Sequence, residues 1–68
     1  MAETFDTVNR IYRRGFNLYV AIQHYGDLTK ENMLALAIKD LPETEAKIFT
    51  RGFEVAKGNA EIARRVKF

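Results

Sequence analysis

The chain has 68 residues and a formal net charge of +2, and it contains no cysteine, no serine, no tryptophan and a single histidine. Serine and cysteine are the commonest catalytic nucleophiles, and zinc or iron–sulfur centres need clusters of cysteine and histidine, so the composition excludes these triads and metal sites within one chain. We expect one helical domain over residues 1–68 that is not an enzyme and that uses no cofactor and no metal.

Charge is distributed unevenly along the chain. Residues 1–25 carry a net charge of +1, residues 26–46 carry −3 and residues 47–68 carry +4. The longest uncharged stretch, residues 15–26, has twelve residues, whereas a bilayer-spanning helix needs about 20. The N-terminal residues are acidic and polar, unlike those of a signal peptide. We therefore expect a cytoplasmic protein with no membrane contact.

The first predicted helix covers residues 4–25. On a helical wheel, Arg10, Arg13 and Arg14 lie with Asn17 and His24 on one narrow polar stripe. The apolar and aromatic residues occupy an arc of about 220°, which is wider than the ~100° that one packing partner needs. We expect this helix to be buried from two directions, with a second copy of the chain covering part of it.

The second predicted helix covers residues 30–41. Gly26 is expected to end the first helix with a positive φ angle, and Thr29 is expected to cap the second. Leu28, just before the cap, and Met33 have the spacing of a hydrophobic staple.

The third predicted helix covers residues 42–66, with Pro42 in its first turn. Its apolar side carries a ridge of small residues, which are Gly52, Ala56, Ala60 and Ala63. Large aromatic side chains on the first helix can pack closely against such a ridge. Gly58 faces solvent, where it is expected to mark a kink or an earlier helix end.

These elements predict an all-α fold in which two long antiparallel helices are joined by a short one. Chains below about 70 residues without disulfides or metals often depend on association for stability. We therefore expect a dimeric helical bundle. The residues predicted at the dimer or core interface are Phe5, Val8, Tyr12, Phe16, Ile22, Gly52 and Ala56.

Function is predicted from the exposed margin of the first helix. Aromatic residues beside arginine are typical of protein–protein interfaces, and the predicted partner-binding residues are Arg10, Arg13, Arg14, Tyr19 and Tyr25. A simpler interpretation is that the arginines only keep an apolar helix soluble. We predict a small regulatory protein that binds and modulates another protein, as an adaptor or inhibitor, and that acts as a homodimer. Its size is typical of accessory and mobile-element proteins.

The alternative is a small basic DNA-binding regulator with a degenerate helix-turn-helix over residues 29–53. Its possible nucleic-acid contacts are Lys47, Arg51, Arg64 and Arg65. Three features weaken this alternative. Asp40 stands in the turn where glycine is usual, Glu43 and Glu45 would repel phosphates, and the Glu43–Lys47 and Glu61–Arg65 spacings predict internal ion pairs.

Overall fold

The computed structural model describes the backbone of residues 2–65 and the side chains of residues 6–63. The described chain forms three helices and no strand: α1 spans Ala2–Ile22, α2 spans Asp27–Ile38 and α3 spans Glu43–Arg65. The all-α prediction is confirmed. Most contacts between helices are made by α1 with α3, and α2 makes fewer contacts with each of them.

α1 and α3 cross at two glycines, and each glycine lies against the backbone of the other helix. A Cβ atom on Gly15 would overlap the carbonyl oxygen of Phe49 and lie 3.1 Å from the amide nitrogen of Phe53. A Cβ atom on Gly52 would overlap the carbonyl oxygen of Tyr12 and lie 3.1 Å from the amide nitrogen of Phe16. The close approach expected at Gly52 is confirmed. Gly15 is its equal partner.

The two contacts are equivalent because the chain contains an internal repeat. Residues 6–17 (DTVNRIYRRGFN) and 43–54 (ETEAKIFTRGFE) agree at five of twelve positions, including the Arg-Gly-Phe triplet, and three further positions keep acidic, basic or aromatic character. Gly15 lies against Phe49 and Phe53, which are three residues before and one residue after Gly52. In the same way, Gly52 lies against Tyr12 and Phe16, which are three residues before and one residue after Gly15. The crossing is therefore approximately two-fold symmetric.

α1 and α3 run in the same direction, because contacts advance together along both helices. Beyond the glycine crossing, Tyr19 packs against Phe53, and Ile22 lies in the same buried cluster as Ala56. The antiparallel prediction is therefore wrong. A ridge of small residues fits a neighbour of either direction.

α2 runs back alongside this pair, from the end of α1 towards the start of α3. Lys30, in its first turns, lies over Tyr19 of α1, and Leu34 packs against the buried cluster. Ile38, at its end, lines a groove with Ala46 and Thr50 of α3. A twelve-residue helix rises about 18 Å, which returns the chain to the level where α3 begins.

The turn between α1 and α2 differs from the prediction. α1 ends at Ile22 rather than Tyr25, and the amide of Tyr25 donates to the carbonyl of Ile22 at 3.0 Å. Gly26 has φ −65° and ψ 160°, so it is extended and not left-handed. The extended residue reverses the chain and leads directly into α2.

α2 begins at Asp27, earlier than predicted, with Gly26 in the N-cap position. The amide of Lys30 donates to the carbonyl of Gly26 at 3.0 Å, and no side chain caps the helix. Thr29 is therefore inside the helix, and the staple is absent because Leu28 and Met33 are both exposed. Asp27 favours the early start, because its charge suits the first turn and it pairs with Lys30.

α3 begins one residue later than predicted. The carbonyl of Pro42 accepts the amide of Ala46 at 2.8 Å, which places Pro42 in the N-cap position. The helix continues through Gly58 to Arg65, so α3 does not end at Gly58. Gly52 and Ala56 of the small ridge are buried, Ala60 is half-buried and Ala63 is exposed, where α3 extends past α1.

The molecule exposes more surface than a compact domain of its mass. Its accessible area is 5516 Å² and its Cα radius of gyration is 13.0 Å. A compact monomer of 7.9 kDa is expected to expose about 4,400 Å², and a domain of this length to have a radius near ~11 Å. The excess of roughly 1,100 Å² exceeds the ~800 Å² that each partner buries in a standard interface.

The crossing predicts opposite effects for glycine-to-alanine changes within the helices. Gly15→Ala and Gly52→Ala should each lower the free energy of unfolding by about 1–3 kcal/mol, because the new methyl group meets rigid backbone. Gly58→Ala is the matched control, since nothing lies within 4 Å of its Cβ position. It should raise stability by about 0.5–1 kcal/mol. Urea unfolding followed by circular dichroism measures all three, and a stable Gly15→Ala variant would contradict the close crossing.

Candidate interaction surface

The three arginines of the predicted polar stripe lie on the outer side of α1, away from the glycine crossing. Arg10, Arg13 and Arg14 are all exposed, as are Asn9 and Asn17 beside them. We call these five residues the basic face. Two shallow grooves of about 410 and 400 Å³ run along it, and Asn9, Arg13 and Asn17 line both.

The guanidinium groups of the basic face are not used within the described part of the chain. The ion pairs formed there join Lys30 to Asp27 and Lys47 to Glu43, and Arg10, Arg13 and Arg14 make no ion pair or hydrogen bond with described side chains. Their donors therefore point to solvent. An unpaired arginine binds carboxylates or phosphates through two parallel hydrogen bonds, so the face suits an anionic partner.

Tyr19 does not belong to this surface, which corrects its assignment to partner binding. The residue is only 2% exposed, and its ring meets the Phe53 ring edge-on at 5.2 Å between centroids. The Lys30 ammonium lies 5.1 Å from the centroid of the Tyr19 ring. Helical spacing placed Tyr19 near the margin of the apolar arc, but α2 and α3 both cover it.

Lys30 is the charged residue that closes the core over Tyr19. It is 6% exposed, and its Nζ lies 3.5 Å from a carboxylate oxygen of Asp27. The ammonium is stabilised by this carboxylate and by the negative face of the aromatic ring, while its methylene stem packs on apolar surface. Sequence reasoning missed this residue. The i, i+3 spacing of Asp27 and Lys30 was the available signal.

Tyr25 and His24 lie in the turn after α1, and both are exposed. Tyr25 therefore stays accessible at one end of α1. His24 has no cluster around it, and no group of three histidine or acidic residues able to hold a metal occurs among the described residues. None of the described helices is long and apolar enough to cross a bilayer.

The residues predicted at the dimer or core interface differ in burial. Ile22, Gly52 and Ala56 are buried within one chain, and Tyr12 and Phe16 are half-buried beside Gly52 of the same chain. Val8 is exposed, and the Phe5 side chain lies outside the described residues. The buried part of the apolar arc of α1, at Tyr19 and Ile22, is covered by α2 and α3 of its own chain. The arc alone does not require a second copy.

The residues of the nucleic-acid alternative are not assembled into one basic site. Lys47 pairs with Glu43 at 3.6 Å, which confirms that predicted ion pair. Arg51 is exposed, and it lines a shallow groove of about 420 Å³ that also carries Glu43 and Glu54. The side chains of Arg64 and Arg65, and the predicted pair of Arg65 with Glu61, lie outside the described residues.

The same repeat positions form the grooves on α1 and on α3. Residues 6, 9, 10, 13, 14 and 17 line one groove on α1, and residues 43, 46, 47, 50, 51 and 54 line the groove on α3, together with Ile38 of α2. The α1 copy has three arginines and one carboxylate, whereas the α3 copy has two cations and two carboxylates. The groove formed by the repeat is therefore basic on α1 only.

Comparison with protein-family models, with curated proteins and with solved structures finds no match to this chain. Its function is inferred from its own residues.

The burial of Tyr19 predicts a loss of folding rather than a selective loss of binding. Tyr19→Ala should lower the free energy of unfolding by about 3–5 kcal/mol. Tyr25→Ala is the matched control on an exposed tyrosine, and it should change stability by less than about 0.5 kcal/mol. Thermal or urea unfolding measures the stability of both variants. Equal stability of the two variants would show that Tyr19 is not a core residue.

Proposed function

We propose that this chain is a small non-enzymatic regulatory protein that binds and modulates an acidic partner protein through the basic face of α1. The observation that carries the proposal is the set of three exposed arginines on one helix face that pair with no side chain among residues 6–63. Neighbouring asparagines add neutral donors and acceptors, and exposed Tyr25 extends the surface towards the end of α1. Such a surface can bind and orient a partner without catalysing a reaction, as an adaptor or inhibitor requires.

A protein partner is favoured over nucleic acid by the distribution of charge. The first turn of α3 carries Glu43 and Glu45, and Lys47 is occupied by Glu43, so the would-be recognition helix offers little to phosphates. Three arginines are also a small footprint for a duplex binder.

Charge reversal on the basic face tests the proposed function. Immobilised wild-type protein should capture a partner from a lysate of its source cells, and Arg13→Glu should reduce capture at least tenfold. Lys39→Glu makes the same change of charge at an exposed site on the end of α2, and it should leave capture unchanged. Equal capture by both variants would contradict the assignment of the basic face.

Duplex DNA is the second arm of the same test. Binding should be weak and should not follow the steep log–log salt dependence of a protein that makes several phosphate contacts. Tight binding with a steep slope, lost in Arg51→Glu but kept in Arg13→Glu, would replace the proposal with the nucleic-acid alternative.

We further propose that the protein acts as a homodimer, joined through the outer surface of α2. Leu28 and Leu36 are 72% and 67% exposed, the highest values among the large apolar side chains described, and Met33 is also exposed. Apolar residues lie on all sides of α2, and a helix of this kind is normally buried on all sides. The outer side of α2 is nevertheless exposed.

Sedimentation equilibrium tests the dimer. Wild-type protein at micromolar concentration should sediment at twice the 7.9 kDa of the chain. Leu36→Asn should sediment as a folded monomer, because a polar amide would replace an apolar contact at the centre of the interface. A monomeric wild type, or a dimer unaffected by Leu36→Asn, would refute this arrangement.

A further inference from the structure

The two copies of the internal repeat differ in what covers them. Phe49 and Phe53 of α3 are buried, whereas their repeat counterparts on α1, Tyr12 and Phe16, are only half-buried. These positions are aromatic in both copies, so the difference in burial comes from their surroundings. α2 lies on the side of α3 that holds Ala46, Thr50 and Phe53. No described element covers the matching strip of α1.

The difference in burial is reversed at the isoleucine that each repeat carries. Ile11 of α1 is buried, and its counterpart Ile48 on α3 is half-buried. An approximate two-fold axis relates the two sides of the α1–α3 pair. On one side, α2 lies over the place where Tyr19 of α1 meets Phe53 of α3, through Lys30 and Leu34, and we call this the filled groove. On the other side, Ile48 of α3 and Phe16 of α1 occupy the symmetry-related positions and are both half-buried. A shallow groove lined by Tyr12, Arg13 and Phe16 of α1 runs there, and we call it the open groove.

The open groove keeps an apolar floor and gains a basic rim. Half-buried Tyr12 and Phe16 lie along it on α1, and exposed Val20 continues the strip one turn further. Its rim on α1 carries Asn9 and Arg13, which stand at the repeat positions of Ala46 and Thr50 beside α2. The filled groove therefore has a neutral edge at these positions, and the open groove has a positive one.

We propose that the open groove binds an acidic amphipathic helix of the partner protein, in the position that corresponds to α2 on the opposite side. The inference rests on the proposed function and names the partner's binding element. The filled groove shows that this pair of helices accepts a third helix packed along it. The two occupants differ in charge because the rims differ. Arg13 pairs with carboxylates of the partner helix, whereas Thr50, at the corresponding position beside α2, cannot. Apolar residues of the partner helix cover Phe16 and Val20, and its glutamate or aspartate residues meet Arg13 and Arg10.

A synthetic peptide serves as the probe. Its sequence places leucine along one helical face and glutamate along the other, and its binding to the full chain is followed by fluorescence polarisation. The glutamate peptide should bind at least tenfold more tightly than a matched peptide with lysine in place of glutamate. Arg13→Glu should reverse this preference, and Lys39→Glu should leave it unchanged.

Polar substitution in the groove separates this inference from the more general role of the basic face. Val20→Asn should weaken binding of the glutamate peptide at least threefold, whereas Ala21→Asn, the same substitution at the neighbouring exposed position of α1, should have no effect. Both positions are exposed, so neither change threatens the fold. Binding that depends on Arg13 but not on Val20 would leave the proposed function standing and overturn the groove. A wild-type dimer that dissociates in Val20→Asn would also overturn it, because a second copy would then occupy the groove.

Discussion

The closeness of two backbones at Gly15 and Gly52 is the constraint on which the rest of the structure depends. Any side chain at either position would separate α1 from α3, and the separation would leave the aromatic residues around each glycine without their contacts. Close packing of backbones increases the dispersion contacts of every neighbouring side chain. It also offsets the conformational cost of placing glycine inside a helix, which is about 1 kcal/mol relative to alanine.

An internal repeat explains why the crossing is reciprocal, and α2 explains why the molecule is not symmetric. Two similar helical segments pack against each other through the same residues, so each side of the pair begins with an equivalent groove. A single connecting helix fills only one of them. The two copies differ in charge along their outer edges: the arginines of α1 pair with no side chain that the structure describes, whereas Lys47 of α3 is paired with Glu43.

The sequence alone predicted the helical class, the number of helices, the close approach at Gly52 and the exposure of the arginine stripe. It did not predict the direction of α3, because small residues permit close packing in either direction and the path of a short connecting helix depends on tertiary contacts. Tyr19 and Lys30 were misjudged for a related reason. A helical wheel shows which residues share a face, but not that an ammonium group will cover a tyrosine ring from another helix. Gly15 was missed although the repeated Arg-Gly-Phe triplet pointed to it.

The parallel arrangement of α1 and α3 has a consequence for how the chain folds. The glycines that meet at the crossing are 37 residues apart in a chain of 68, so the central contact closes a loop of more than half the sequence. Contacts so distant along the chain are slow to form compared with those of a helical hairpin. During synthesis, α1 leaves the ribosome before its partner exists, and its apolar side stays exposed until the second Arg-Gly-Phe triplet has emerged. Order of synthesis thus makes the last third of the chain the part that completes the core.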